Sequence, residues 1–206
     1  MIQASLIIHC DSEWLIAGGA SILGTADMAP MVDAEGLPLI PGRTVRGLLR
    51  EAVALVDDCQ EVSPKWSDRL FGTRKQDGGT GAARDGTVRV GDALLPKAVS
   101  DELSNHAGGA KDLLLSIRRT ALDGERRSVK RGSLREMEVV MGGLVLAAPI
   151  ECETEQDLFC LAFAAGLVRN FGHSRSRGLG RCRFELSRNA LLVKADTIDA
   201  FQKGAA

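Results

Sequence analysis

The stretch Gly172–Leu186 (Gly-His-Ser-Arg-Ser-Arg-Gly-Leu-Gly-Arg-Cys-Arg-Phe-Glu-Leu) carries residue types suited to chemistry with a polyanion. Gly172, Gly178 and Gly180 let a backbone take positive φ and come close to a ligand. Arg175, Arg177, Arg181 and Arg183 present planar forks of donors that match phosphate oxygens. A loop with both is a candidate seat for a nucleic-acid backbone. The same composition also describes a solvated basic loop, and the stretch alone leaves both readings open.

A second basic segment runs from Ser116 to Arg135. There Arg118, Arg119, Arg126, Arg127, Lys130, Arg131 and Arg135 meet only Asp123 and Glu125, a local charge of +5. From Arg169 to Arg188 six arginines meet one acid, Glu185, again +5. The whole chain of 206 residues nets -1, so nothing argues globally for nucleic acid or membrane. The contrast is local, and arginine outnumbers lysine 19 to 7. Arginine favours phosphate or base-plane contacts, although surface ion pairing is its common alternative use.

Other chemistries are poorly supported. Cys10, Cys59, Cys152, Cys160 and Cys182 form no Cys-x-x-Cys pair, and with His9, His106 and His173 they make no zinc spacing. An odd count in apolar settings suits reduced core thiols and a cytoplasmic protein. Asp11 and Glu13 interrupt the apolar start, so no signal peptide is expected. No run approaches the ~18 apolar residues of a membrane span.

The elements that must position these residues follow from periodicity. Ala4–Cys10 reads as a buried strand. Gly24–Pro41, with Pro30, Gly36 and Pro38, reads as a long loop. After Pro41-Gly42, Val45, Leu48, Leu49, Ala52, Val53 and Val56 make a helical apolar stripe. Arg43, Arg46 and Arg50 cluster beside that stripe, near the helix N-terminus. Cations there oppose the helix dipole, which hints at an anion offsetting the cost. Solvated arginines are the plain alternative. Leu70-Phe71-Gly72 closes an irregular segment, 73–86 reads as mobile, and Thr87–Ala93 as a strand. Ser100–Asp112 is polar and irregular. Leu113–Thr120 is a strand opening an Arg-studded hairpin or arm, with a turn at Asp123-Gly124 and little share in the core.

Leu144–Cys152 is a strand, and Thr154 with Asp157 signals a helix start. Leu158, Leu161, Ala162, Ala165 and Val168 make a second helix that Gly172 stops. Arg181–Leu186 alternates as a strand, and Leu191–Val193 is a last short one. The chain is therefore expected to be α+β, with a ferredoxin-like, RRM-like β-α-β-β-α-β core and an insertion in the middle. There is no Tyr, and the expected strands supply only Phe184, so base stacking is not expected.

In these residues the chain resembles the RAMP superfamily of CRISPR-associated proteins, most nearly the repeated, thumb-bearing backbone subunit of type III effector complexes. Leu37-Pro38-Leu39-Ile40-Pro41-Gly42-Arg43-Thr44-Val45-Arg46-Gly47-Leu48-Leu49-Arg50 is similar to the family's I-P-G-S-S-L-K-G-x-x-R. Leu70-Phe71-Gly72, followed by Val88 to Asp92-Ala93, matches a second block. Thr120-Ala121-Leu122-Asp123 with Gly132-Ser133-Leu134 and Glu138 resembles the segment bounding the family's thumb. Ser176-Arg177-Gly178-Leu179-Gly180-Arg181 is similar to its glycine-rich loop.

The resemblance implies a single domain over 1–206, with a thumb inserted at about 100–140. It implies a subunit that stacks with further copies of itself and other effector subunits along a crRNA guide, and that meets target RNA. Guide contacts are expected at Arg43, Thr44, Arg46, Arg50, Arg118, Arg119, Arg126, Arg127, Arg175, Ser176, Arg177, Gly178 and Gly180. The block Ala26-Asp27-Met28-Ala29-Pro30-Met31-Val32 resembles the family's I-D-S-P-V, with one extra residue before the proline. By that match Asp27 is the catalytic and metal-binding carboxylate, using Mg²⁺ or Mn²⁺. Target RNA would be cut at regular intervals by 2′-OH attack, leaving a 2′,3′-cyclic phosphate and a 5′-hydroxyl. Asp33 and Asp85 are the other loop carboxylates of interest. Two further readings are a purely structural guide-binding subunit and a guide-processing endoribonuclease using His173 as general acid/base.

Overall fold

The structure, a computed structural model, describes residues 1–18, 27–60, 65–73, 83–121 and 132–193. Strands β1 (Ile2–Cys10), β2 (Arg89–Val90), β5 (Val145–Cys152), β6 (Cys182–Arg188) and β7 (Leu191–Leu192) form one antiparallel sheet. Its order is β2-β5-β1-β6-β7. Strands β3 (Leu114–Arg119) and β4 (Arg135–Val140) pair apart from it as an antiparallel ribbon. The fold is mixed α and β with antiparallel sheets.

The period of two in the sequence builds this sheet. Ala4, Leu6, Ile8 and Cys10 of β1 are buried. The register sets Leu6 opposite Ala148 and Leu186, and Ile8 opposite Leu146 and Phe184. A slip of one residue would turn that apolar row to water, so the register is strongly specified. Helices α1 (Gly42–Gln60) and α4 (Glu155–Ala165) cover the row. They contribute Val45, Leu49, Val53, Leu158, Leu161 and Ala164 to one core. Each such side chain adds roughly 1.5–3 kcal/mol on burial. The other sheet face is mixed, with Ile7, Val145, Ala147 and Pro149 beside charged residues. His9 Nε2 lies 3.3 Å from Glu185 Oε2, and Arg183 spans Asp11 at 3.3 and 3.4 Å. Phe184, the sole aromatic on the described strands, faces the helices and is 3% exposed.

Thr154 and Asp157 form a reciprocal capping box at α4, as their spacing predicts. The helix ends at Gly166, before Gly172. Val168 keeps its apolar position by packing from a tight turn, which makes the periodic pattern outlast the helix.

Two helices depart from the sequence expectation. Helix α2 (Trp66–Phe71) replaces the expected irregular segment. Its first amides, Trp66 and Ser67, both donate to the buried Asp57 carboxylate at 2.8 Å. This cap comes from α1, so no local motif announces it. Helix α3 (Lys97–Asn105) buries no residue fully and packs on the core through the half-buried Leu103, too little to set an apolar period in the sequence. A 3₁₀ turn, Gly109–Leu113, leads from it towards β3. Most of the expected mobile segment, and the Asp123-Gly124 turn, lie outside the described residues. So do Arg126 and Arg127.

Burial, the first cause in each case, pushes the Cys10, Cys160 and Cys182 thiols up to about 12 and Cys152 up to about 11. Cys59 is exposed. In the folded chain a thiol reagent at neutral pH should therefore modify Cys59 quickly and the other four only after denaturation. Rapid labelling of all five would contradict this packing. The native state holds those four protons more tightly than the unfolded chain. Their stabilising effect is complete below the ordinary value of 9.0 and is lost as pH rises towards 11–12.

Candidate nucleic-acid interface

The start of α1 is a tight junction. Pro41 O accepts from the amides of Thr44 and Val45, and the Gly42 amide donates to Asp92 Oδ1 at 2.6 Å. A β-carbon on Gly42 would overlap the Val90–Gly91 backbone, which explains the glycine at this position. Asp92 is thus an anion at this helix N-terminus, held within the chain itself. It accounts for at least part of the dipole offset that the sequence pattern points to outside the protein.

The arginines of α1 diverge. Arg43 is exposed, with Met31 Sδ 4.0 Å away, and Thr44 beside it is half-buried. Arg46 turns inward: it donates to Phe71 O at 2.7 Å and lies over the Phe71 ring at 5.5 Å. Arg50 is half-buried with no hydrogen bond or ion pair among the described residues.

The glycine-rich loop is a closed structure. At its neck Phe171 N donates to Gly180 O at 2.9 Å, and Gly180 N donates to Glu13 O at 2.7 Å. His173 N donates to Leu15 O at 2.8 Å, while the His173 side chain is exposed. Ser12 Oγ bonds Gly178 O at 3.2 Å and accepts from Arg181 N at 2.9 Å. At the tip Arg175, Ser176 and Arg177 form one exposed 3₁₀ turn between Ser174 (φ 57°) and Gly178 (φ 91°). A β-carbon on Gly178 would meet nothing within 4 Å, so this glycine stands open to a ligand.

Three contacts join this loop to the other candidate residues. Arg119, at the end of β3, donates to Ser174 Oγ at 3.0 Å. Arg175 lies 4.0 Å from Glu51 of α1. A second small core, Leu15, Met137, Val139 and Leu179 with Met28 and Ile117 packed on it, knits together the glycine loop, the β3–β4 ribbon and the Asp27 segment. The ribbon therefore contributes to a core at its base, contrary to the expectation of an arm outside it. Its alternate residues bury against Leu179.

Asp27 is exposed and clamped to β4. Its amide donates to Glu136 O at 2.8 Å, and its Oδ2 accepts from Glu136 N at 3.0 Å. Its other carboxylate oxygen has no hydrogen-bond partner among the described residues. Glu136 itself accepts from Ser116 Oγ at 2.6 Å and from Arg118 Nε at 3.2 Å. Among the described residues no three His, Cys, Asp or Glu side chains group as a metal cage. A hard carboxylate with one free oxygen fits Mg²⁺ or Mn²⁺ only where substrate phosphate and water complete the ligand set. Asp33 closes its own turn, accepting from the Glu35 and Leu37 amides, and Asp85 is exposed.

Sequence reasoning missed Asp92, Ser174, Met28, Met137 and Leu179. Leu179 gave one available signal: an apolar residue between two glycines of a basic loop has reason to be buried. Arg43, Arg50, Arg135, Arg177 and Arg181 carry no ion pair among the described residues. If the loop grips the guide-RNA backbone that the resemblance implies, replacing Arg175 and Arg177 together by Ala should flatten the salt dependence of that binding by about 1.4 log-log units, since each single-strand phosphate contact adds about 0.7. Arg46→Ala should instead lower stability by about 1–2 kcal/mol, through its lost carbonyl and ring contacts. Filter-binding salt titrations and thermal melts read the two; an unchanged slope for the double variant would remove the loop from the phosphate path.

A family model described as RAMP superfamily matches residues 8–183. No curated protein matches the chain by sequence. Among solved structures, a chain of the type III-B Cmr-beta complex in the apo state aligns with TM-score 0.68 and 13% identity, covering 92% of this chain and 99% of that one. A chain of the type III-B Cmr-beta complex bound to cognate target RNA gives 0.66 and 12%, covering 90% and 97%. A chain of a type IV-B CRISPR complex gives 0.65 and 16%, covering 97% and 96%. At these identities the likeness to the solved chains is one of fold.

Proposed function

The chain belongs to the RAMP superfamily, and on that premise we propose that it is a guide-RNA-binding backbone subunit of a CRISPR effector ribonucleoprotein that cleaves the paired target RNA. The observation that carries this reading is the shared second core. It brings the glycine-rich loop, the base of the β3–β4 ribbon and the Asp27 segment into one unit. On this reading a phosphate backbone gripped by the loop arginines runs past the Asp27 carboxylate. The strand order β2-β5-β1-β6 supports the ferredoxin-like core, and the ribbon fits an inserted thumb within a single domain over 1–206. Partners on this reading are a crRNA guide, target RNA, further copies of the chain and other effector subunits. Among the described residues no helix is long and apolar enough to cross a membrane.

The chemistry assigned to the chain is in-line attack of an RNA 2′-OH on the adjacent phosphate. The 2′-hydroxyl gives up its proton to solvent as its oxygen bonds to phosphorus, the bond to the 5′ oxygen breaks, and that oxygen takes a proton from solvent and leaves as a 5′-hydroxyl. Asp27 would hold a divalent ion, whose contribution when bound is charge neutralisation at the scissile phosphate. The chain's own part is orientation. The Glu136 main chain fixes the Asp27 carboxylate, and Arg175 and Arg177 hold the backbone by charge. Purification of the assembled complex tests the proposal. It should carry RNA, cut complementary target at regular spacing, and stop in EDTA.

A second reading is a structural guide-binding subunit that does not cut. It is favoured by the absence of a three-ligand metal group among the described residues. A complex that carries guide and binds target without cutting it would establish that reading.

A further inference from the structure

Three charges lie in one row on the solvent face of the ribbon. Met28 bridges Met137 in parallel register, and Ile117 stands opposite Met137 across the ribbon. Met28, Met137 and Ile117 all pack in the second core. Successive residues of an extended strand point to opposite faces. Glu136 and Arg118, paired across the ribbon, therefore project the other way, and Asp27, the residue before Met28, lies beside Glu136 with its Oδ2 on the Glu136 amide. Neighbouring strands lie about 4.8 Å apart, so Asp27 and Arg118 are about two spacings, roughly 10 Å, from each other at Cα. An extended arginine and an aspartate side chain together bridge that gap.

Glu136 occupies Arg118 here. Its Oε1 accepts from Arg118 Nε and lies 3.2 Å from Arg118 Nη2, while Ser116 Oγ donates to the same oxygen at 2.6 Å. The main chain of the same residue clamps Asp27 from both sides.

We propose that Glu136 is a positioning residue: its main chain orients the Asp27 carboxylate, and its side chain keeps Arg118 from pairing with that carboxylate. The inference rests on the reading of Asp27 as the cleaving group. In Glu136→Gln the main-chain clamp remains but the neutral amide holds Arg118 more weakly than the carboxylate does. Asp27 then becomes the neighbouring anion on its row, and its free oxygen is taken up by the guanidinium. Glu138, one rung further along the same face, is the competing acceptor.

The test has two readouts. In the assembled complex, E136Q should lower the turnover of saturating target by about tenfold, the effect of one misplaced ion pair of modest strength. The melting temperature should hold, because an exposed ion pair contributes little to stability. In an R118Q background the same Glu136 change should alter turnover less than about twofold, since the competitor is gone. Nitrogen NMR of the Arg118 guanidinium in the full chain reads the switch without any cleavage. Its Nε–H should remain hydrogen-bonded in E136Q, lose that bond in E136Q/D27N, and keep it in E136Q/E138Q. Full turnover in E136Q, an equal loss in the R118Q background, or an Arg118 signal that follows Glu138 would each overturn the proposal. Cutting that survives Asp27→Ala would sink the functional reading instead, and the NMR result would stand apart from it.

Discussion

Asp27→Ala should leave the ribonucleoprotein assembled and reduce periodic target cleavage by at least about a hundredfold, the loss expected when a phosphate-neutralising ligand worth several kcal/mol is removed. The side chain is exposed and belongs to neither core, so its removal gives up a single surface hydrogen bond to Glu136 N. The measurement is a time course on end-labelled target RNA, with guide content and sedimentation of the complex followed in parallel. Asp27→Asn sharpens it, because the amide can still receive the Glu136 amide proton but has lost the charge. Cleavage at the wild-type rate by either variant would falsify the catalytic assignment. Loss of the complex itself would show instead that Asp27 is structural.

Gly180→Ala should be among the most damaging glycine substitutions at the described residues. Gly180 sits at φ 74°, and an added β-carbon would overlap the Phe171 carbonyl oxygen. That oxygen cannot move away cheaply. The Phe171 amide is bonded to Gly180 O, and the Phe171 ring packs on Trp14 at 5.5 Å between centroids. The neck must open, freeing Leu179 from the second core and the loop from its bond to Glu13. Left-handed strain together with the overlap costs about 3 kcal/mol or more. For a chain of this length that lowers the melting temperature by roughly 6–12 °C. Gly178→Ala is the comparison. It bears the same kind of backbone strain (φ 91°) in open space, and should cost only about 1–2 kcal/mol. Equal melting of the two variants would mean that the neck is not a closed structure. Guide binding should fall with Gly180→Ala as the loop loses its shape, even though every arginine remains.

Much of the architecture was open to reading in advance, for a physical reason. Strand β1, helix α1, strands β3, β5 and β6 and helix α4 each show an apolar period that one element must satisfy by itself. Thr154 and Asp157 cap their own helix, so their spacing carries the whole message. The glycine-and-arginine loop and the Asp27 block were found from residue type and resemblance. Helix α3 was missed because it sets only Leu103, half-buried, against the core, and α2 because its cap, Asp57, comes from another helix.

The site is divided in the same way. The sequence by itself determined which residues could serve: arginines for phosphate, glycines for close approach, and a loop carboxylate for a hard cation. It did not determine which of them are free to act. Only the tertiary structure turned Arg46 inward onto Phe71, seated Asp92 at the start of α1, paired Arg118 with Glu136 and tied Arg119 to Ser174. Those outcomes depend on contacts between residues far apart in the chain, and a side chain's charge does not say which distant partner packing will bring to it. The second core makes the same point, because Met28, Met137 and Leu179 meet only once three separate segments have folded against one another.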